Sequence, residues 1–165
     1  MTLTLVLGGI RSGKSEFAVE LARRAGGRVA VVATGFASDE EMHERIELHR
    51  RSRPPDWTLY EEPVEIGTAV PAHSCDVILL DSVDAWLAHR MNADECVSQV
   101  EALRKRASHL VAVSSEVGLS LVALTPAGRA FTDALGMVNQ RLAAQAQRVY
   151  LVVAGLPVAL KEVAS

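Results

Sequence analysis

Cysteine is scarce in this 165-residue sequence: only Cys75 and Cys96 are present. They have neither a CxxC spacing nor the density of a disulfide scaffold, which excludes a stapled secreted framework and points to a reducing, cytoplasmic setting. An excess of positive charge is lacking too. The 17 basic and 20 acidic residues leave a formal charge of −3, so no global field draws the chain to nucleic acid or anionic lipid, and a small-molecule partner is expected. No apolar run reaches the roughly 18 residues that span a bilayer, and MTLTLVLGG carries no basic leader, so neither a membrane anchor nor a targeting segment is expected. Repeats and low-complexity tracts are missing as well.

What is present is a βα alternation. Short Val, Ile, Leu and Thr runs at Thr2–Leu7, Arg28–Thr34, Val77–Asp81, Leu110–Ser114 and Val149–Ala154 are separated by stretches long enough for helices. Near-continuous apolar strands imply a mostly parallel sheet with helices on both faces, in a single domain. A weaker strand is expected at Trp57–Glu61, and an edge strand at Pro157–Leu160, where a proline is tolerated. Ser15–Ala25 reads as the first helix. Ser38 with Glu41 forms a capping-box signature for a second, ending before Pro54-Pro55. The stretch from Val83 to Ser108 is helical but polar in pattern. A long helix is expected from Thr125 to Arg148, with Pro126 in its first turn.

The sharpest motif is GGIRSGKS, comprising Gly8, Gly9, Ile10, Arg11, Ser12, Gly13, Lys14 and Ser15, between an apolar strand and a helix. That context distinguishes a Walker A phosphate loop from a chance glycine-rich turn. Backbone N–H groups would wrap a nucleotide's phosphates, Lys14 would sit against the β- and γ-phosphates, and the Ser15 hydroxyl would ligate Mg2+. Such a loop needs an acid at a neighbouring strand end to hold the magnesium shell. Asp81, closing VILLD, is the candidate, with helix N-capping as its other reading.

A second feature is local. MHERIELHRRSRPPDW gathers Arg45, Arg50, Arg51 and Arg53 around His49. A solvated basic face is the ordinary explanation. The chemical alternative is that a neutral imidazole attacks phosphorus while the guanidiniums bind polyphosphate and depress the imidazole pKa.

Four features in order, GGIRSGKS, VATG with DEEMHERIELHRRSRP, ILLD, and SEVG followed by GMVNQRLA into VYLVVAG, resemble the bifunctional adenosylcobinamide kinase/adenosylcobinamide-phosphate guanylyltransferases. The resemblance covers about residues 1–161. It implies a RecA-like P-loop NTPase fold, commonly a homotrimer. The implied activity is phosphorylation of the corrinoid adenosylcobinamide with ATP or GTP, then transfer of GMP from GTP to the product, giving adenosylcobinamide-GDP. His49 matches the family histidine that carries GMP covalently. The family's nucleotide-contacting segments match Gly8–Ser15, Thr34, Gly35 and Phe36, Arg50, Arg51, Ser52 and Arg53, Glu61 and Asp81. Many members read Asn-Glu-Val-Gly and then Gly-Ile-Val-Pro, whereas here Ser115-Glu116-Val117-Gly118 leads into Leu119-Ser120-Leu121-Val122-Ala123. The loop after the fifth main strand therefore departs from the family pattern. Trp86, Val117 and Leu119 are candidates for apolar contact with the macrocycle, and no heptad or exposed apolar patch is legible as an oligomer contact. An NKxD-type guanine motif is not visible, which argues against a GTP-driven switch.

Overall fold

The structure, a computed structural model, describes residues 1–35 and 54–162. Its frame is a seven-stranded sheet in the order β3-β2-β4-β5-β1-β6-β7. The strands are β1 (Thr2–Gly8), β2 (Val29–Ala33), β3 (Thr58–Glu61), β4 (Val77–Asp81), β5 (His109–Ser115), β6 (Arg148–Val153) and β7 (Leu156–Glu162). The first six pair in parallel, and β7 returns antiparallel on β6. The expected main strands all form. So do the weaker β3 and the edge strand carrying Pro157, whose missing N–H costs nothing on an outer edge.

Both faces of the sheet are covered, as the apolar runs require. On one face Val6, Val31, Leu79, Val111 and Val113 pack on Ala18 and Ala22 of α1 (Lys14–Ala25). On the other, Leu3, Leu5, Ile78, Leu80 and Leu110 meet α2 (Val83–Arg90), α3 (Ala93–Arg104) and α4 (Pro126–Gln145). Alternate residues of each strand thus feed two different cores.

The stretch from Val83 to Ser108 is two helices with a break. Met91 turns left-handed at φ 50° to end α2, and Asn92 caps α3 by accepting from the Glu95 amide at 3.0 Å. Its polar look also misleads, because Val83, Trp86, Leu87, Cys96, Val97, Val100 and Leu103 are all buried. Thr125 caps α4 through the Gly128 amide with Pro126 in the first turn, as Pro pre-set for helical φ permits. At the far end of α4, Lys161 from β7 donates to the carbonyls of Ala143 and Ala144. That cation satisfies carbonyls the helix itself cannot use. The helix expected from Ser38 lies outside the described residues.

Trp86 has no solvent exposure, and its indole N–H donates to the Val64 carbonyl at 2.9 Å. Trp86→Ala should therefore cost about 3–5 kcal/mol, cavity and lost transfer energy together, readable as a lowered urea midpoint at unchanged slope. Both cysteines are buried free thiols. Burial pushes Cys96 up to about 12. Between the ordinary thiol range and that value the native state holds a proton that the unfolded chain has lost, so stability falls as pH rises through this window. At pH 8 a chromogenic disulfide reagent should titrate Cys96 only after denaturant is added.

Candidate active site

All six parallel strands end on one edge of the sheet, where open α/β sheets bind ligands. β1 ends at Gly8, in register with Ser115 of β5 and Val152 of β6. From there Gly9 to Gly13 form a loop into α1, with Arg11 at φ 54° and Gly13 left-handed at φ 89°. Gly13 stands at the N-cap of α1 and no side chain caps that helix. The first-turn N–H groups thus keep the donor capacity and positive dipole end that an anion uses. Inside the loop the Lys14 ammonium donates to the Gly9 carbonyl at 3.2 Å, which folds its chain back over the loop. The buried Ser12 hydroxyl has no hydrogen-bond partner among the described residues. Ile10, by contrast, stands 85% exposed at the crest.

The loop is held from below by the turn between β6 and β7. The Gly155 amide donates to the Ser12 carbonyl at 2.8 Å. A Cβ on Gly13 would lie 3.1 Å from Gly155 Cα, and a Cβ on Gly8 would lie 2.4 Å from Ser12 Oγ and 2.8 Å from the Val152 carbonyl oxygen. Sequence reading missed Gly155 as part of this arrangement. The VVAG run was read as a strand end, and nothing in it announces a contact with a loop some 140 residues earlier.

Asp81 ends β4, the strand next but one to β1. The capping role goes to its neighbour: the Ser82 hydroxyl accepts from the Ala85 amide at 3.4 Å. Thr34 is fully buried and serves this same segment. Its hydroxyl donates to the Ser82 carbonyl at 2.6 Å and accepts from the Ser82 amide at 2.9 Å, while its own amide donates to the Asp81 carbonyl at 3.1 Å. Thr34 thus braces the Asp81 strand end, with Gly35 exposed beside it. Glu61 ends the edge strand β3, exposed and in register with Ala33. Three strands separate it from β1, about 19 Å at ordinary strand spacing. Phe36, His49, Arg50, Arg51, Ser52 and Arg53 lie outside the described residues.

The structure adds residues that motif reading passed over. Asp84, in the first turn of α2, accepts from the Ser115 amide at 3.1 Å and from the Ser115 hydroxyl at 2.9 Å. Asn139 of α4, 5% exposed, accepts from the Ser114 hydroxyl at 2.7 Å and donates to the Ser115 carbonyl at 3.0 Å. The Glu116 amide in turn donates to the Gly8 carbonyl at 3.0 Å. A strand end followed by an acid, SSE after LVAV, was the available signal, the same one that singled out Asp81. Trp86, a candidate for the macrocycle, is instead core. Val117 is half-buried against that core, and Leu119 is exposed in a loop with Leu121, Val122 and Leu124. That loop is an exposed apolar patch not legible beforehand.

A glycine loop opening an uncapped helix at the carboxyl edge of a parallel sheet, with an acid at the end of the strand next but one, defines a P-loop NTPase of the RecA-like kind. An ATPase from the type III secretion system of pathogenic bacteria has the same fold, with a TM-score of 0.59 over 96% of this chain and 56% of that one, at 8% identity. Residues 4–160 match the family described as cobinamide kinase / cobinamide phosphate guanyltransferase. The bifunctional adenosylcobalamin biosynthesis protein CobP of Pseudomonas aeruginosa is 36% identical over 166 residues, spanning 95% of this chain and 96% of that protein. The bifunctional adenosylcobalamin biosynthesis protein CobU of Escherichia coli K12 is 34% identical over 182 residues, spanning 96% and 99%. The chain belongs to the cobinamide kinase / cobinamide phosphate guanyltransferase family.

Gly8→Ala places its methyl inside Ser12 and the Val152 carbonyl, whereas a Cβ on Gly9 meets nothing within 4 Å. Gly8→Ala should weaken nucleotide binding by about tenfold or more, some 1.4 kcal/mol, and lower the melting temperature without ligand. Gly9→Ala should leave that ligand-free melting temperature unchanged. Calorimetric titration and thermal unfolding of the two variants side by side check this.

Proposed function

We propose that this chain phosphorylates adenosylcobinamide with ATP or GTP and then transfers GMP from GTP to the product, through a GMP-His49 intermediate, giving adenosylcobinamide-GDP. The observation that carries the reading is the family match across residues 4–160, on a chain whose phosphate loop is built and braced for a triphosphate. Gly8 to Ser15 bind the phosphates: amides of the loop and the first turn of α1 donate to their oxygens, and Lys14 turns from the Gly9 carbonyl to the β- and γ-phosphates. His49 is the nucleophile at the α-phosphorus, flanked by Arg50, Arg51 and Arg53, whose guanidiniums take up the charge of the departing pyrophosphate.

Ser15 and Asp81 would hold Mg2+. A hydroxyl and a carboxylate are hard oxygen donors that suit this ion. Among the described residues no group of three or more His, Cys, Asp or Glu could hold a metal, so phosphate and water oxygens would complete the shell. When bound, the ion neutralises charge on the phosphate oxygens. Thr34 keeps the Asp81–Ser82 segment in place for this. The proposal extends to a cytoplasmic homotrimer. Among the described residues no helix is long and apolar enough to cross a membrane, and the exposed Leu119, Leu121, Val122 and Leu124 would favour burial against another copy.

Incubation with α-labelled GTP and magnesium should label the chain through an acid-labile P–N bond, and His49→Ala should abolish the label while leaving γ-phosphate transfer from ATP measurable. Label persisting in His49→Ala would overturn the nucleophile. Absence of label on the unaltered chain, with phosphorylation intact, would reduce the activity to the kinase step.

A further inference from the structure

Phosphorylating an alcohol leaves a proton to be removed as its oxygen bonds to the γ-phosphorus. His49 is committed to the α-phosphorus, and Asp81 to the ion. We infer that Glu116 is the proton acceptor of the phosphorylation step, and that Asp84, Ser115 and Asn139 form the positioning network that aims it. This rests on the function proposed above and assigns one of its two reactions to a residue of the SEVG run that the sequence reading gave no role.

The carboxylates on the nucleotide edge sort by position. Glu61 is on the far edge strand. Glu62 follows that same far strand, and its Oε1 accepts from the amides of Val64 and Glu65. Both oxygens of Asp84 accept from Ser115. Glu16 is exposed and turned about 100° around α1 from Ser15 by helical geometry. Glu116 alone of these follows the strand paired directly with β1, and its amide is bonded to Gly8 where the phosphate loop begins. Its Oε1 accepts from the Gly118 amide at 2.8 Å, which fixes the side chain. Among the described residues its Oε2 has no hydrogen-bond partner, leaving one oxygen for a substrate proton.

The network beneath it is unusual for a core of this kind. Asn139 is a buried amide among Leu135, Val138 and Leu142, and burying such a group is costly unless its partners are fixed. Here its carbonyl and amino groups hold Ser114 and Ser115, and Asp84 holds the amide and hydroxyl of Ser115. Four side-chain hydrogen bonds converge on the two residues before Glu116. The β4 ladder stops at Val113 while the β1 ladder runs on to Ser115, so Asp84 and Asn139 hold the part of the strand end that β4 leaves unpaired, directly ahead of Glu116.

The step balances. The acceptor's O–H bond breaks and its proton passes to Glu116 Oε2 as the oxygen bonds to the γ-phosphorus. The bond from that phosphorus to its bridging oxygen breaks, and the electron pair leaves with the nucleoside diphosphate. After product departs, the carboxylic acid returns its proton to water.

Glu116→Gln keeps the shape and the acceptor for Gly118 but removes the base. Three rates are compared in the full chain: GMP self-labelling from α-labelled GTP, GMP transfer to pre-phosphorylated acceptor, and γ-phosphate transfer from ATP to unphosphorylated acceptor. The third should lose about 10²-fold or more in kcat, with KM changed by less than about threefold and the first two rates retained. Glu116→Asp, which keeps a carboxylate, should recover part of the loss. Asn139→Leu should lower kcat of the third rate while sparing the first. Retention of phosphorylation within about tenfold in Glu116→Gln overturns the assignment, as does an equal loss of all three rates. Failure of the unaltered chain to phosphorylate the acceptor would instead sink the function on which the assignment rests.

Discussion

The Gly155 amide meets the Ser12 carbonyl at 2.8 Å, a Cβ on Gly13 would press on Gly155 Cα at 3.1 Å, and one on Gly8 would strike the Val152 carbonyl oxygen at 2.8 Å. The phosphate loop is therefore a shape pressed between β1 and the β6–β7 turn, with its amides aimed by contacts beneath them. A loop free to choose among conformations would have to be ordered by its ligand, at a cost in affinity. Here the sheet carries that ordering before any nucleotide arrives. The left-handed Arg11, and Ala154 in the turn below, are the local strain that such close packing accepts, while Gly13 and Gly155 take the same region without cost.

The same logic repeats one strand away. Thr34 locks Ser82 and hence the end of β4, while Asp84 and Asn139 lock Ser115 and hence the end of β5. Polar side chains at the carboxyl edge bind backbone, and so fix where Asp81 and Glu116 stand on that edge. Lower in the sheet alternate residues are apolar on both faces, and ladder hydrogen bonds and packing hold them without side-chain clamps.

How much of this was legible follows from the range of each interaction. Strand positions, the helix after GKS and the cap at Thr125 with Pro126 are written in neighbouring residues, and periodicity reads them. The place of Asp81 at a strand end and the turn of the glycine loop into α1 were legible because both have local signatures. The break at Met91 was not, because a left-handed methionine carries no sequence mark comparable to glycine. Thr34 as a brace, Gly155 as a floor and the Asp84–Ser115–Asn139 network were hidden for a different reason: each joins residues between 24 and 143 positions apart. Trp86 was a candidate for apolar contact with the macrocycle, yet it is fully buried and its indole N–H donates to the Val64 carbonyl.

The order of strands has a consequence for synthesis. β1 emerges first and bears the loop, but its two neighbours, β5 and β6, begin only at residues 109 and 148. Closing such distant pairs is entropically slow and gains little until both ends exist. A nascent chain halted before residue 148 would carry every residue of GGIRSGKS and still lack both the strand beside it and the turn beneath it. The floor of the phosphate loop is therefore made by the part of the chain that is synthesised last.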